Sequence, residues 1–86
     1  MQKIIAANGD TYDIAWIGIA NLDGGLRFGV IGGELSEILQ TFTDPKNCTV
    51  ITRTFDGDPF SYKGYTVFRG VTINYDGTIV VSLSKI

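Results

Sequence analysis

The chain has 86 residues, room for one domain spanning 1–86 and not for two. Seven Lys and Arg against nine Asp and Glu give a net charge of −2. The charges form no run, which argues against a dedicated DNA-binding face. With no histidine and a single cysteine, Cys48, an intramolecular disulfide, a Cys2His2 zinc site, a Ser-His-Asp triad and a Cys-His dyad are excluded.

Turn signals at Asn8-Gly9-Asp10, Asp23-Gly24-Gly25, Asp56-Gly57-Asp58 and Asp76-Gly77 punctuate the chain with residues that accept positive φ. Gln2 to Ala7 reads as a short first strand, Asn8-Gly9 as a hairpin turn and Thr11 to Ala20 as a longer second strand. Tyr12, Ile14 and Trp16 alternate there with Ala15, Ile17 and Ile19. Both faces are therefore apolar, as in a central strand or one covered on both sides. Gly18 offers room for a closely packed backbone or ring. Leu26 to Ile31 is the third strand, with Leu26, Phe28 and Val30 on one face.

After Gly32-Gly33 the period changes. Leu35, Ile38, Leu39 and Phe42 fall at i, i+3, i+4 and i+7, which predicts a helix over Glu34 to Phe42. Glu34 and Glu37 suit the positive end of its dipole, and Pro45 stops it. Cys48 to Phe55, Gly64 to Asn74 and Thr78 to Lys85 read as three further strands, and Asp58 to Lys63 as the longest loop. The expected fold is mainly β (α+β). It is an antiparallel sheet or half-open barrel of about six strands, ordered β-β-β-α-β-β-β, with one short helix packed on it.

The opening residues form too short an apolar run for a signal peptide, and no stretch approaches the ~20 apolar residues of a membrane helix. A cytoplasmic location is expected, with no membrane partner, and the Asn47-Cys48-Thr49 sequon is then without consequence. Apolar residues make up 44% of the chain and mean hydropathy is +0.17. So short a chain has little interior to hide that surface, so a homo-oligomer is expected.

No residue pattern nominates a catalytic group, a metal ligand or a cofactor, and the chain reads as a non-enzyme. Asp56 and Asp58 around Gly57 look like the start of a calcium loop, but the remaining oxygen ligands are missing and turn geometry accounts for them. Gly32-Gly33 leads a strand into a helix N-terminus, where backbone N–H groups can hold an anion. The lysine of a phosphate loop is absent, so the preferred reading is a corner that folds the helix onto the sheet. Cys48 lacks an activating neighbour and reads as a small buried hydrophobe.

The arginines are the most informative residues. Arg27, Arg53 and Arg69 all lie within predicted strands. Arg53 is in phase with Ile51 and Phe55, and Arg69 with Val67, Val71 and Ile73. An arginine on an apolar face is costly unless something compensates it. Either a bulge at Gly70 resets the phase, or an internal ion pair holds the charge, or the face is an interface or ligand cleft. Phe60, Tyr62 and Tyr65 cluster nearby, as in a binding surface or as in a loop tucked onto its own core. The candidate ligand- or partner-binding residues are therefore Arg27, Arg53, Arg69, Phe60, Tyr62 and Tyr65.

The stretches Leu26-Arg27-Phe28, Leu39-Gln40-Thr41-Phe42-Thr43-Asp44-Pro45, Tyr62-Lys63-Gly64-Tyr65-Thr66-Val67-Phe68-Arg69-Gly70-Val71 and Asp76-Gly77-Thr78-Ile79-Val80-Val81 run through most of the chain. In them the sequence resembles small uncharacterised proteins of bacteriophages and prophages of Gram-positive gut bacteria. The resemblance implies a viral accessory or virion protein and carries no activity or site residue with it. Two readings follow. One is a non-catalytic binder acting stoichiometrically, as an inhibitor of a host defence protein or a sponge for an anionic signalling ligand. The other is a small structural, tail-associated protein that self-assembles.

Overall fold

In the computed structural model of the chain, residues 2–20, 24–44, 50–55 and 58–85 are described, with the backbone alone at 50–55, 58 and 59. Among these residues, seven strands form a single antiparallel sheet: β1 (Lys3–Ile5), β2 (Thr11–Ile19), β3 (Leu26–Val30), β4 (Val50–Phe55), β5 (Asp58–Lys63), β6 (Val67–Ile73) and β7 (Ile79–Ser84). One helix, α1 (Leu35–Phe42), lies between β3 and β4, and the sheet order is β5-β4-β1-β2-β3-β7-β6. This is the mainly β, single-helix architecture that the sequence predicts, with one strand more. Asp58–Lys63, expected as a loop, pairs with β4 from Phe55↔Asp58 to Val50↔Lys63. Phe60 and Tyr62 do alternate with Ser61 and Lys63, but Pro59 masks the pattern. A proline is tolerated there because β5 is an edge strand. Pro45, Cys48 with its Asn47-Cys48-Thr49 context, Asp23 and the Asp56-Gly57 turn lie outside the described residues.

Sheet order and connectivity together dictate the shape. β5 and β6 are opposite edges of the sheet, yet only Gly64, Tyr65 and Thr66 connect them. That linker reaches about 14 Å at full extension, so the sheet must coil until its edges come close. The result is open and barrel-like. β2 provides the bend: Thr11–Asp13 pair with β1 and Ile14–Ile19 with β3, and the register shifts between Ile14 and Trp16.

The core fills the inside of the coil. Leu26, Phe28 and Val30 of β3 face Leu83, Val81 and Ile79 of β7, and all six are buried. The helix closes it with Ile38 and Phe42, and the Phe42 ring meets Phe28 at 5.2 Å and Tyr12 at 5.5 Å between centroids. Leu35 and Leu39 are only half-buried flanks of that face. Glu34 is the extended N-cap, so the helix proper starts one residue later than the periodicity suggests. Gly33 serves the packed corner: a Cβ there would stand 2.8 Å from Ile38 Cδ1 and 3.1 Å from Val30 Cγ1.

β2 is central, but it is not covered on both sides, because Ala15, Trp16, Gly18 and Ile19 are exposed. Among the described residues nothing packs against Gly18, and it is Gly29 that lies under a ring, that of Trp16. No helix among the described residues is long and apolar enough to cross a membrane.

Candidate anion-binding cleft

Cross-strand register assembles the site from residues far apart in sequence. Arg27 of β3 stands between Gly18 of β2 and Ser82 of β7, and Ser82 in turn stands beside Gly70 of β6. Arg27 is exposed, and its row holds only small neighbours. Among the described residues, their immediate chain neighbours aside, no atom lies within 4 Å of where a Cβ would stand at Gly18 or Gly70.

Arg69 joins the row through a bulge. The β6–β7 register shifts between Phe68 and Gly70, and Gly70 has φ 149°, a backbone setting that a side chain disfavours. Phe68 then pairs with Leu83 and Val71 with Val81, and both pack on the core, while Arg69 is released to the exposed side. Its Nε donates to Ser84 Oγ at 2.9 Å. The phase problem posed by Val67, Val71 and Ile73 is thus resolved by the bulge at Gly70.

These elements frame a cleft of about 740 Å³ lined by Arg27, Arg69 and Lys85, with Ser82, Ser84, Tyr65, Leu83, Ile19 and the Gly24-Gly25 corner. Lys85 Nζ stands 5.1 Å from the centre of the Tyr65 ring, a cation–π contact that holds the ammonium at the cleft. The described lining contains three cations and two serine hydroxyls and no carboxylate. Like charges lining one concavity raise its positive potential, and guanidinium forks suit carboxylate and phosphate oxygens.

Of the six residues nominated from sequence, Arg27, Arg69 and Tyr65 meet in this cleft. Tyr65 is buried, Tyr62 half-buried and Phe60 exposed. Tyr62 contacts Phe60 edge-on at 5.0 Å and Tyr65 at 6.4 Å, so Phe60 and Tyr62 are an aromatic train leading to Tyr65 and not part of the lining. Tyr62 and Tyr65 both pack on the core, as in the reading of aromatics tucked inward. Arg53 lies on β4 opposite Ile4 and Phe60; its side chain lies outside the described residues. Sequence pattern alone does not single out Lys85, Ser82 or Ser84. The alternation of Ser82 and Ser84 with Val81 and Leu83 marks a polar outer face, but only the register places Arg27 on it.

The opposite end of β2 carries the opposite charge. Thr41 Oγ1 donates to Asp10 Oδ2 at 3.0 Å and, having spent its one proton there, accepts from the Tyr12 hydroxyl at 2.8 Å. Asn8 Nδ2 also donates to Asp10 Oδ2, at 2.9 Å. Asp10, Glu37 and Asp44 line one shallow cleft here, and Asp13, Glu34 and Glu37 an adjoining one. Asp13 is paired with Lys3 at 2.9 Å. Among the described residues, no group of three or more His, Cys, Asp or Glu is arranged to hold a metal ion.

Fold and cleft together describe a small, coiled, antiparallel β domain with a cationic concavity near one end of its central strand. Comparison with known proteins returns no match: no family model, no curated sequence and no solved structure.

Proposed function

We propose that the chain is a non-catalytic binding module whose Arg27–Arg69–Lys85 cleft takes an anionic group. The observation that carries this reading is the convergence of three cations and two hydroxyls on one cleft with no carboxylate in its described lining. Arg69 and Lys85 are each held in place, by Ser84 and by the Tyr65 ring, so little order is lost when an anion arrives. In the phage context that the sequence resemblance implies, such a module acts stoichiometrically, as a sponge for an anionic signalling ligand or an inhibitor that grips an acidic patch of a host defence protein. Calorimetric titration with inorganic pyrophosphate tests the cleft. Saturable binding that weakens with salt, and that falls by about 10- to 100-fold in Arg69→Gln, is expected, in line with ~1.5–3 kcal/mol for a charge-assisted bond. Absence of binding, or binding indifferent to Arg69→Gln, overturns it.

The structural, self-assembling reading is favoured by a separate observation. Large apolar side chains, among them Trp16, Ile19, Ile31, Ile73 and Tyr75, are exposed on so small a domain.

A further inference from the structure

We infer that the partner this cleft fits is the acidic end of a second copy of the chain, so that copies join head to tail. The inference rests on the reading of the cleft as an anion site and names its occupant.

The two poles sit at opposite ends of the same strands. Thr11, Tyr12 and Asp13 of β2 line the acidic clefts, and Ile19, the last residue of that strand, lines the basic one. β3 repeats the arrangement: Arg27 lies at the basic end, and the strand leaves toward Ile31 and Glu34 at the acidic end. A nine-residue strand spans at most about 26 Å, and less where it bends, against the 31 × 28 × 26 Å extents of the domain. The two charge clusters therefore lie at opposite ends of β2, and no residue lines both the basic cleft and an acidic one.

Each pole also offers apolar surface. Ile19 at the basic pole is 52% exposed and Ile31 at the acidic pole 46% exposed. An isolated phosphate gains nothing from Ile19, whereas a protein surface carrying Ile31 among Glu34, Glu37 and Asp10 meets both the charge and the apolar part of the cleft. The 740 Å³ concavity is likewise far larger than one phosphate requires and suits a protruding protein edge. The contact is heterologous: each copy uses one pole and leaves the other available, so assembly closes into a ring or continues as a filament.

Two charge reversals at opposite poles test this by sedimentation at low salt. The wild-type chain is expected to gain mass with concentration and to dissociate as salt is raised. Arg69→Glu and Glu37→Arg should each remain monomeric where the wild type assembles, with association weakened at least about tenfold. Mixed in equal amounts, they retain one competent pole each and should form a one-to-one dimer that grows no further. A wild-type chain that is monomeric up to millimolar concentration, a mixture that fails to pair, or assembly that persists in both variants overturns the inference. Pyrophosphate titrated into Glu37→Arg, whose cleft is intact, reads the anion site separately. Binding there, when the wild-type chain stays monomeric and the mixture fails to pair, sinks the head-to-tail contact alone, and no binding there sinks the anion site itself.

Discussion

Arg69 Nε donates to Ser84 Oγ across 2.9 Å, joining the bulge of β6 to the outer face of β7. The bond ties an exposed cation to the sheet without burying its charge. Arg69 is therefore a poor strut. Arg69→Gln should shift stability by no more than about 0.5 kcal/mol, the usual range for a surface change, while it weakens anion binding. Ser84→Ala should leave the fold equally intact and weaken binding less, since the charge stays and only its aim is lost. Thermal melts beside pyrophosphate titrations separate the two effects. A loss of about 3–5 kcal/mol in Arg69→Gln, the signature of a broken buried pair, would reverse the assignment.

On the helix, burial ranks the apolar stripe. Ile38 and Phe42 are fully buried, and Leu39 is a half-buried flank. Ile38→Ala should cost about 2–5 kcal/mol, Leu39→Ala clearly less, and Gln40→Ala, on the exposed side, within about 0.5 kcal/mol. Denaturant melts of the three variants check the order. A Leu39→Ala cost equal to that of Ile38→Ala would mean that the helix is rotated from the face described.

Local patterns in the sequence carry much of this fold, and they stop where register begins. The turns at Gly9 and Gly77 adopt φ of 94° and 90°, as glycine after Asn8 and Asp76 implies, and Leu26, Phe28 and Val30 face inward as their alternation implies. Even the bulge at Gly70 is legible, because an arginine in phase with valines needs a reset. The neighbour of each strand is another matter. That Arg27 lies beside Ser82, 55 positions later, follows from pairing β3 with β7, a non-local choice that no short pattern encodes. Lys85 is illegible for the same reason: as a last polar residue after a strand it is ordinary until Tyr65 folds beneath it. β5 is obscured by Pro59, a residue that argues against strands in general and is harmless at an edge.

Trp16 packs over Gly29, where an added Cβ would come within 2.8 Å of both Trp16 Nε1 and Thr78 Cγ2. Gly29→Ala should therefore push the ring outward and cost about 1–3 kcal/mol through overpacking. Trp16 is the only tryptophan, so its fluorescence reports the change directly. A red-shifted emission with a lowered melting point is expected. An unchanged spectrum in a folded variant would show that the ring does not rest on Gly29.

Thr41 is buried at the junction of helix and hairpin, bonded to both Tyr12 and Asp10. Thr41→Val preserves the shape but leaves the Tyr12 hydroxyl without its acceptor. A loss of about 0.5–1.5 kcal/mol is expected, the net worth of a hydrogen bond at a half-buried hydroxyl. The double variant Tyr12→Phe with Thr41→Val should recover part of it, because no hydroxyl then remains to be satisfied. Additive losses in the double variant would show that the two groups act independently.

The β6–β7 turn should carry a pH signature. The Thr78 backbone N–H donates to Asp76 Oδ1 at 2.9 Å, and this bond, with further help from the Thr78 side chain, holds the Asp76 carboxyl below its ordinary value of 3.8. The bond favours the ionised form, so the folded state binds a proton less readily than the unfolded chain does. The stabilisation is therefore fully present above the ordinary carboxylate value and is lost as pH falls through the lower, folded-state value. Carbon-detected titration of the aspartates should show Asp76 protonating below 3.8, with the Thr78 amide shifting in step. Asp76→Asn keeps an oxygen that can accept the bond but carries no charge. It should weaken the turn at neutral pH and abolish the titration of the Thr78 amide, while leaving Asn74 N–H bonded to the Thr78 carbonyl oxygen as at present, 2.9 Å. If Asp76 instead titrates at or above the ordinary value, the bond from Thr78 does not form in solution, and the hairpin is held by its backbone pairs alone.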